Sequence, residues 1–146
     1  MTFRVLEANQ TQWRPSRQMG VLNADLAAQL QATTLGARMW RLAPGQSSTR
    51  HRHVSEYELY LVLEGTGRIR VDGELLTLEA HSAVLVEPEG VRQVFNDTDT
   101  EVLWLVVGAP REALTAAELG PEQLAHIYPD GPRALPPELD RSGGDV

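Results

Sequence analysis

Short runs of β-branched and aromatic residues, separated by turn residues, dominate the middle of the chain. Residues 58–63 and 68–71 are rich in them, and the four residues between these runs, 64–67, include two glycines. This pattern predicts a β-hairpin in which Leu63 pairs with Arg68. Because side chains alternate along a strand, one face of this hairpin then carries Glu58, Tyr60, Val62, Ile69 and Val71.

Further short strands are predicted on both sides of this hairpin. Asp72-Gly73 is a strong hairpin-turn signal, so residues 74–79 are predicted to form the returning strand. Turn residues also bound four more predicted strands, at residues 37–43, 83–87, 91–95 and 101–107. Short strands at this spacing are typical of an all-β antiparallel sandwich or barrel.

The two ends of the chain differ from this strand-rich middle. Short helices are predicted over residues 23–31, 111–119 and 121–127, the last with proline suited to its first turn. Proline and glycine are frequent after Tyr128, which predicts an arm and then a frayed tail at residues 142–146. We therefore predict one domain, with an N-terminal arm (1–36), a core (37–110) and a C-terminal helical arm and tail (111–146).

Length and charge narrow the class of protein. A chain of 146 residues fits one domain, and a net charge of −7 argues against nucleic acid or an anionic membrane as a partner. Four arginines are close in sequence and alternate with polar or apolar residues, a pattern that predicts outward positions on strands. They are Arg50, Arg52, Arg68 and Arg70. Residues 1–10 lack the apolar core of a signal peptide, so the expected location is the cytoplasm.

Two histidines and a glutamate form a candidate metal site, and the absence of cysteine excludes thiolate ligands. His51 and His53 would project from the same face of a strand, roughly 7 Å apart. Glu58 follows after a short gap and would bring a carboxylate from the next strand. Two imidazoles and one carboxylate can hold a divalent transition ion with open positions.

The spacing of these residues resembles the first motif of the cupin family. That motif is a glycine, a His-x-His pair, a glutamate and a closing glycine, which here are Gly45, His51, His53, Glu58 and Gly65. The resemblance spans residues 37–110. It implies a double-stranded β-helix, or jelly-roll, barrel with one divalent transition metal in its mouth, either Mn, Fe, Ni or Zn.

The second cupin motif is matched in part. Pro88 and Gly90 supply its Pro-x-Gly turn and Asn96 its asparagine, one residue early, while Ser82 and Gln93 stand where a glycine and a histidine would be. The resemblance thus implies that Gln93 is a fourth ligand through its amide oxygen. Alternatively, Gln93 sits behind the ligands and offers its NH₂ group to a bound water or a substrate oxygen.

A small, largely apolar pocket is expected beside the metal. Tyr60, Phe95 and Trp40 are the candidate substrate-binding residues, because each is large enough to line a pocket for a small organic molecule. Glu56 competes with Glu58 as the carboxylate ligand, but the spacing to the closing glycine favours Glu58 and leaves Glu56 at the rim.

Three function classes remain open at this point. The resemblance implies a metal-dependent enzyme acting on a small oxygenated molecule, such as a dioxygenase, isomerase, decarboxylase or lyase. A non-catalytic small-ligand-binding module and a sensor are the alternatives. A sugar-phosphate isomerase would need inward-facing cationic side chains, and the chain has no lysine. The outward leucines of residues 59–63 predict a homodimer.

Overall fold

The computed structural model describes residues 2–112 and 118–140, and within these ranges strands predominate. The strands are β1 (Arg14–Pro15), β2 (Leu22–Asp25), β3 (Gly36–Leu42), β4 (Tyr57–Glu64), β5 (Gly67–Val71), β6 (Glu74–Leu78), β7 (Ala83–Val86), β8 (Arg92–Phe95) and β9 (Val102–Ala109). The helices are α1 (Leu26–Gln29), α2 (Pro121–Ile127) and a 3-10 turn at Ala8–Gln10. Most of the predicted helix at 111–119, and the predicted tail, lie outside the described residues.

The strands form two antiparallel sheets that pack face to face. The larger sheet has the order β1-β2-β3-β9-β4-β7 and the smaller one β6-β5-β8. Val62 and Trp104 from the larger sheet and Ile69 and Val94 from the smaller one belong to a single buried apolar cluster. The predicted all-β jelly-roll class is therefore confirmed.

The predicted hairpin of residues 58–63 with 68–71 is wrong. β4 pairs with β7 and β9, whereas β5 pairs with β6 and β8, so the chain crosses between the sheets after Glu64. Gly65, at a φ of +79°, makes this crossing, and a Cβ atom there would lie 2.6 Å from the Glu101 carbonyl oxygen. The predicted inner face nonetheless holds, because Tyr60, Val62 and Ile69 are all buried.

Of the other predicted turns and helices, some are confirmed and one is confirmed only in part. The Asp72-Gly73 turn is confirmed, since Val71 pairs with Glu74 across it, and the helix at residues 121–127 is confirmed as α2. Of the predicted helix at residues 23–31, only Leu26–Gln29 is helical. The preceding residues join the sheet as β2 instead, paired with β3.

Residues 128–140, the C-terminal segment, cover the outer face of the smaller sheet. The carboxylate of Glu138 accepts hydrogen bonds from the guanidinium of Arg70 on β5, and the distance from Nε of Arg70 to Oε1 of Glu138 is 2.9 Å. The amide of Gln93 on β8 donates to the Ala134 carbonyl at 2.8 Å. None of the helices within the described residues is long and apolar enough to cross a membrane.

Candidate metal centre

The histidine pair lies in the loop between β3 and β4, not on a regular strand as predicted. His51 forms an isolated antiparallel bridge with Arg92, at the start of β8. The backbone NH of His53 donates to the Pro88 carbonyl at 2.8 Å. These backbone bonds hold both imidazoles beside Glu58, which β4 supplies.

The structure brings the three predicted ligands together around one carboxylate oxygen. Oε1 of Glu58 lies 3.0 Å from Nε2 of His53 and 3.4 Å from Nε2 of His51. One ligand atom from each of the three residues lies within 4.8 Å of the others. The three side chains are thus close enough for a single ion to contact all of them, which is the condition that a metal site imposes.

The opposite nitrogen of each imidazole faces an oxygen acceptor. Nδ1 of His51 lies 3.0 Å from the Thr49 carbonyl, and Nδ1 of His53 lies 3.3 Å from Oε2 of Glu112. An acceptor at Nδ1 keeps the proton of a neutral ring there and leaves the Nε2 lone pair free for a metal. Both rings are therefore oriented as metal-binding imidazoles are.

Glu112 was not predicted as a site residue. Its Oε1 accepts hydrogen bonds from the backbone NH groups of Val54 and Ser55, both at 2.7 Å, and of Glu56 at 3.1 Å. This carboxylate thus fixes the turn after His53 as well as the ring itself. No local pattern could have indicated the contact, because the two residues are 59 positions apart.

The expectation that Gln93 points inward as a fourth ligand is wrong. Gln93 shares a face of the smaller sheet with Arg70, its cross-strand partner, and its amide donates to the carbonyls of Ser48 and Ala134, both at 2.8 Å. Phe95 lies on the same outer face, under the guanidinium of Arg68, and does not line the cavity beside the histidines. Substrate contact by Phe95 is therefore also wrong.

Arg92 instead takes the inward position next to the ligands. Its Nε lies 3.4 Å from Oε1 of Glu58, and its side chain is fully buried. The sequence held one signal for this, because Asn96 is one residue early in the second motif. If the interval between the motif's histidine and its asparagine is counted back from Asn96, the histidine position falls on residue 92 and not on residue 93. An arginine cannot ligate a metal, so the described residues offer three protein ligands here.

A cavity of about 410 Å³ opens beside the three predicted ligands. Tyr60 and Trp40 line it, which is the position that the sequence predicts for them. The Tyr60 hydroxyl donates to Oε1 of Glu58 at 2.9 Å. Arg38 and Arg111 also line the cavity, which the sequence did not predict.

Glu56 is buried on the cavity wall and not at the rim, where it was predicted. A Cβ atom on Gly108 would lie 1.9 Å from Oε1 of Glu56, and one on Gly36 would lie 3.4 Å from it. The two glycines thus leave a slot in the larger sheet that the carboxylate fills. Burial is the main cause that raises the pKa of Glu56.

The pKa values of Glu58 and His53, two of the three predicted ligands, are shifted by their neighbours. Burial alone would raise the pKa of Glu58, but hydrogen bonds and charge from His51 and His53 outweigh it and hold that pKa well below its usual range. Burial alone would lower the pKa of His53, but its hydrogen bond to Glu58 and the charges of Glu58 and Glu56 outweigh it and raise that pKa. Without metal, the site thus favours an imidazolium beside a carboxylate.

These shifts predict the pH dependence of the metal-free protein's stability. The lowered pKa of Glu58 stabilises the fold above the ordinary value of 4.5, and this stabilisation is lost as the pH falls through the lowered pKa. The raised pKa of His53 stabilises the fold below the ordinary value of 6.5, and this is lost as the pH rises through the raised pKa.

We therefore expect the difference in free energy of unfolding between wild type and Glu58→Gln to be largest between pH 4.5 and 6.5. Urea unfolding of chelator-treated protein across the pH range measures it. A difference that keeps growing above pH 6.5 would contradict the assignment of His53 as the proton-binding partner.

Comparison with known proteins gives the same fold. The family model described as "Cupin domain" matches residues 38–108. No curated protein is similar enough in sequence to count as a match. A sugar phosphate isomerase from Silicibacter pomeroyi, described as a member of a cupin superfamily, is 24% identical, with a TM-score of 0.66 over 74% of this chain and 76% of that one.

Two further solved structures are similar at lower identity. A predicted oxalate decarboxylase from Thermotoga maritima is 20% identical, with a TM-score of 0.66 over 74% of this chain and 100% of that one. KdgF from a Halomonas species is 17% identical, with a TM-score of 0.66 over 77% of this chain and 97% of that one. At these identities the likeness is one of fold, and the chemistry has to be argued from the side chains described above.

Proposed function

Because residues 38–108 match the cupin domain model, we propose that the chain binds one divalent transition metal ion, either Mn, Fe, Ni or Zn, through His51, His53 and Glu58. We further propose that it is a metal-dependent enzyme acting on a small oxygenated organic molecule. The ligand set is two imidazoles and one carboxylate, which suits such an ion and leaves coordination positions for a substrate.

One observation carries this proposal. Both Nε2 atoms face Oε1 of Glu58, while each Nδ1 faces an oxygen that fixes the ring. An imidazole that serves only as a surface group has no need of such a second partner, whereas metal-binding histidines almost always have one. The half-buried Glu58 carboxylate supplies the negative charge that a cation requires.

The side chains around the proposed ligands would bind and orient a substrate. A bound metal ion would polarise a carbonyl or hydroxyl oxygen of the substrate. Trp40 and Tyr60 form walls of the cavity, and the Tyr60 hydroxyl holds Oε1 of Glu58 in place. Glu112 and Asp25 also line the cavity, but Glu112 accepts backbone NH groups and Asp25 pairs with Arg38. Glu56 is therefore the carboxyl group proposed to exchange a proton with a substrate.

The reaction is proposed at the level of class: a dioxygenase, an isomerase or a decarboxylase-like reaction. The similar structures described as a sugar phosphate isomerase and a predicted oxalate decarboxylase make anionic substrates the first to test. Arg111 on the cavity wall favours an anion as well, while Arg38 on the same wall is already paired with Asp25. Arg50 and Arg68 are paired with Asp130 and Asp97 and do not line the cavity.

Metal analysis followed by a substrate screen tests the proposal. The metal-free protein is reconstituted with Mn²⁺, Fe²⁺, Ni²⁺ and Zn²⁺ in turn, and bound metal is measured by mass spectrometry. Each form is then assayed with sugar phosphates and with small carboxylates such as oxalate. Metal near one equivalent and turnover with one class are expected, and negligible metal after all four reconstitutions would refute the metal site.

A non-catalytic ligand-binding or sensor protein is the second candidate. The observation that favours it is that Oε1 of Glu58 already has four nitrogen or oxygen neighbours, from His51, His53, Tyr60 and Arg92. Such an oxygen is satisfied without a metal. Bound metal without turnover of any screened substrate would move the assignment to this candidate.

A homodimer is proposed through the outer face of β4 and β7. Leu59 and Leu85 are cross-strand partners there, with exposed fractions of 41% and 61%, and Tyr57 beside them is 46% exposed. Covering such an apolar patch with a second copy is the commonest solution. The cytoplasmic location likewise stays a prediction.

We expect wild type to be a dimer and Leu85→Glu to be a monomer in light scattering coupled to size exclusion. The charged residue would have to be buried without a partner at such an interface. Glu74→Gln, an exposed change on β6 of the other sheet, is the control and should leave the mass unchanged. A monomeric wild type at high concentration would count against the interface.

A further inference from the structure

Three nitrogen atoms, and not two, surround the carboxylate oxygen of the candidate metal centre. Nε of Arg92 lies 3.4 Å from Oε1 of Glu58, which is the same separation as that of Nε2 of His51. Among the described residues, this Nε is one of the few buried side-chain atoms without a hydrogen bond. The third nitrogen thus has the position of a ligand but lacks the lone pair of one.

The backbone explains why Arg92 reaches this position. His51 and Arg92 form an antiparallel bridge, with N···O distances of 3.0 and 2.8 Å in the two directions. Directly opposed residues in such a bridge send their side chains to the same side. The two side chains therefore approach Glu58 together, whereas Gln93, the next residue, points to the outer face.

The two Nη atoms of the Arg92 guanidinium donate hydrogen bonds to backbone carbonyls of the neighbouring turn. Nη1 donates to the carbonyls of Gly90 at 2.8 Å and Pro88 at 3.2 Å, and Nη2 donates to those of Glu87 at 3.2 Å and Val86 at 3.4 Å. Arg92 does not line the cavity. It is therefore fixed in place beside Glu58 and is unavailable to a substrate.

We infer that Arg92 is a positioning residue that occupies the place of a fourth nitrogen ligand, so that the protein contributes only three ligands to the metal. The inference rests on the proposed function, because it concerns the same metal site. Its consequence is an ion with more positions open to molecules from solution than a four-ligand site would leave.

A histidine at residue 92 would turn the site into one with four protein ligands. Nε of arginine and Nε2 of histidine are the same number of bonds from Cα, so Arg92→His can place a nitrogen lone pair where Nε now lies. Arg92→Met removes the positive charge without adding an imidazole, and it separates the effect of a new ligand from the relief of charge repulsion. Gln93→His places the same imidazole on the outer face.

The test measures Ni²⁺ binding to the metal-free forms of wild type and these three variants by isothermal titration, with circular dichroism as a check of the fold. We expect Arg92→His to bind Ni²⁺ at least tenfold more tightly than Arg92→Met, and Gln93→His to bind it as wild type does. Equal affinities of Arg92→His and Arg92→Met would overturn the inference, and so would a tenfold gain in Gln93→His.

A spectroscopic measurement on wild type keeps the inference testable if the Arg92 variants do not fold. X-ray absorption of the Ni²⁺-loaded wild type should show two imidazole ligands, with the remaining positions occupied by oxygen. A third imidazole would overturn the inference while leaving the metal site intact. If wild type binds no Ni²⁺, Mn²⁺, Fe²⁺ or Zn²⁺ at all, the proposed function itself is refuted and this inference falls with it.

Discussion

Replacing Glu58 by glutamine is expected to lower the affinity of the protein for Ni²⁺ by roughly a hundredfold or more. Loss of a partner that merely orients a metal ligand costs about 10- to 100-fold in affinity. Glu58 is itself a proposed ligand and the one anionic member of the set, so its loss should cost at least the upper end of that range. A glutamine keeps the size of the side chain, so that the change is mainly one of charge and donor strength.

Isothermal titration of the metal-free variant with Ni²⁺ measures this loss. Glu64→Gln is the matched control, because it makes the same change at an exposed position of the same strand. The control should bind Ni²⁺ as wild type does. If Glu58→Gln also binds as wild type does, Glu58 is not a ligand, and the buried carboxylate of Glu56 becomes the candidate to examine.

Replacing Gly67 by alanine is expected to destabilise the fold by about 3 kcal/mol or more. A Cβ atom at this position would lie 2.4 Å from Cγ2 of Val62 and 2.5 Å from Cζ2 of Trp104. Both neighbours are fully buried in the core between the two sheets. Neither can move away without disturbing other core side chains, because protein interiors are close-packed.

Urea unfolding followed by circular dichroism measures the change in free energy of unfolding. Gly73→Ala serves as the control, since no atom lies within 4 Å of the Cβ that it would add. The control should stay within about 0.5 kcal/mol of wild type, as most surface substitutions do. A Gly67→Ala protein as stable as the control would mean that the two sheets are less closely packed at this point than described.

The alternation of side chains along β4 and β5 could be predicted from the sequence, whereas their pairing could not. Burial decides which residues of a strand face inward, and Val62 and Ile69 carry that information in their own apolar character. Pairing depends on which strands lie next to each other. The neighbours of β4 are β7 and β9, and β9 is distant in the chain, so the nearby turn residues pointed to the wrong partner.

The candidate site shows the same division between local and distant information. His51, His53 and Glu58 lie within eight residues of one another, and their spacing was sufficient to predict that they meet. The inward residue of β8 depended on a shift of one position, and such a shift exchanges the two faces of a strand. For that reason the sequence predicts inward positions for Gln93 and Phe95, whereas the structure places Arg92 there.

The attachment of the C-terminal segment has a consequence for limited proteolysis. Residues 128–140 form neither helix nor strand, so side-chain bonds such as those from Arg70 and Gln93 hold them to the smaller sheet. A cut near Tyr128 would free this cover and leave the buried amide of Gln93 without one of its two acceptors. The uncovered outer face of the smaller sheet would then be prone to aggregate. We therefore expect a loss of solubility before any disturbance of the proposed metal ligands, whose side chains lie on the inner side of the sheets.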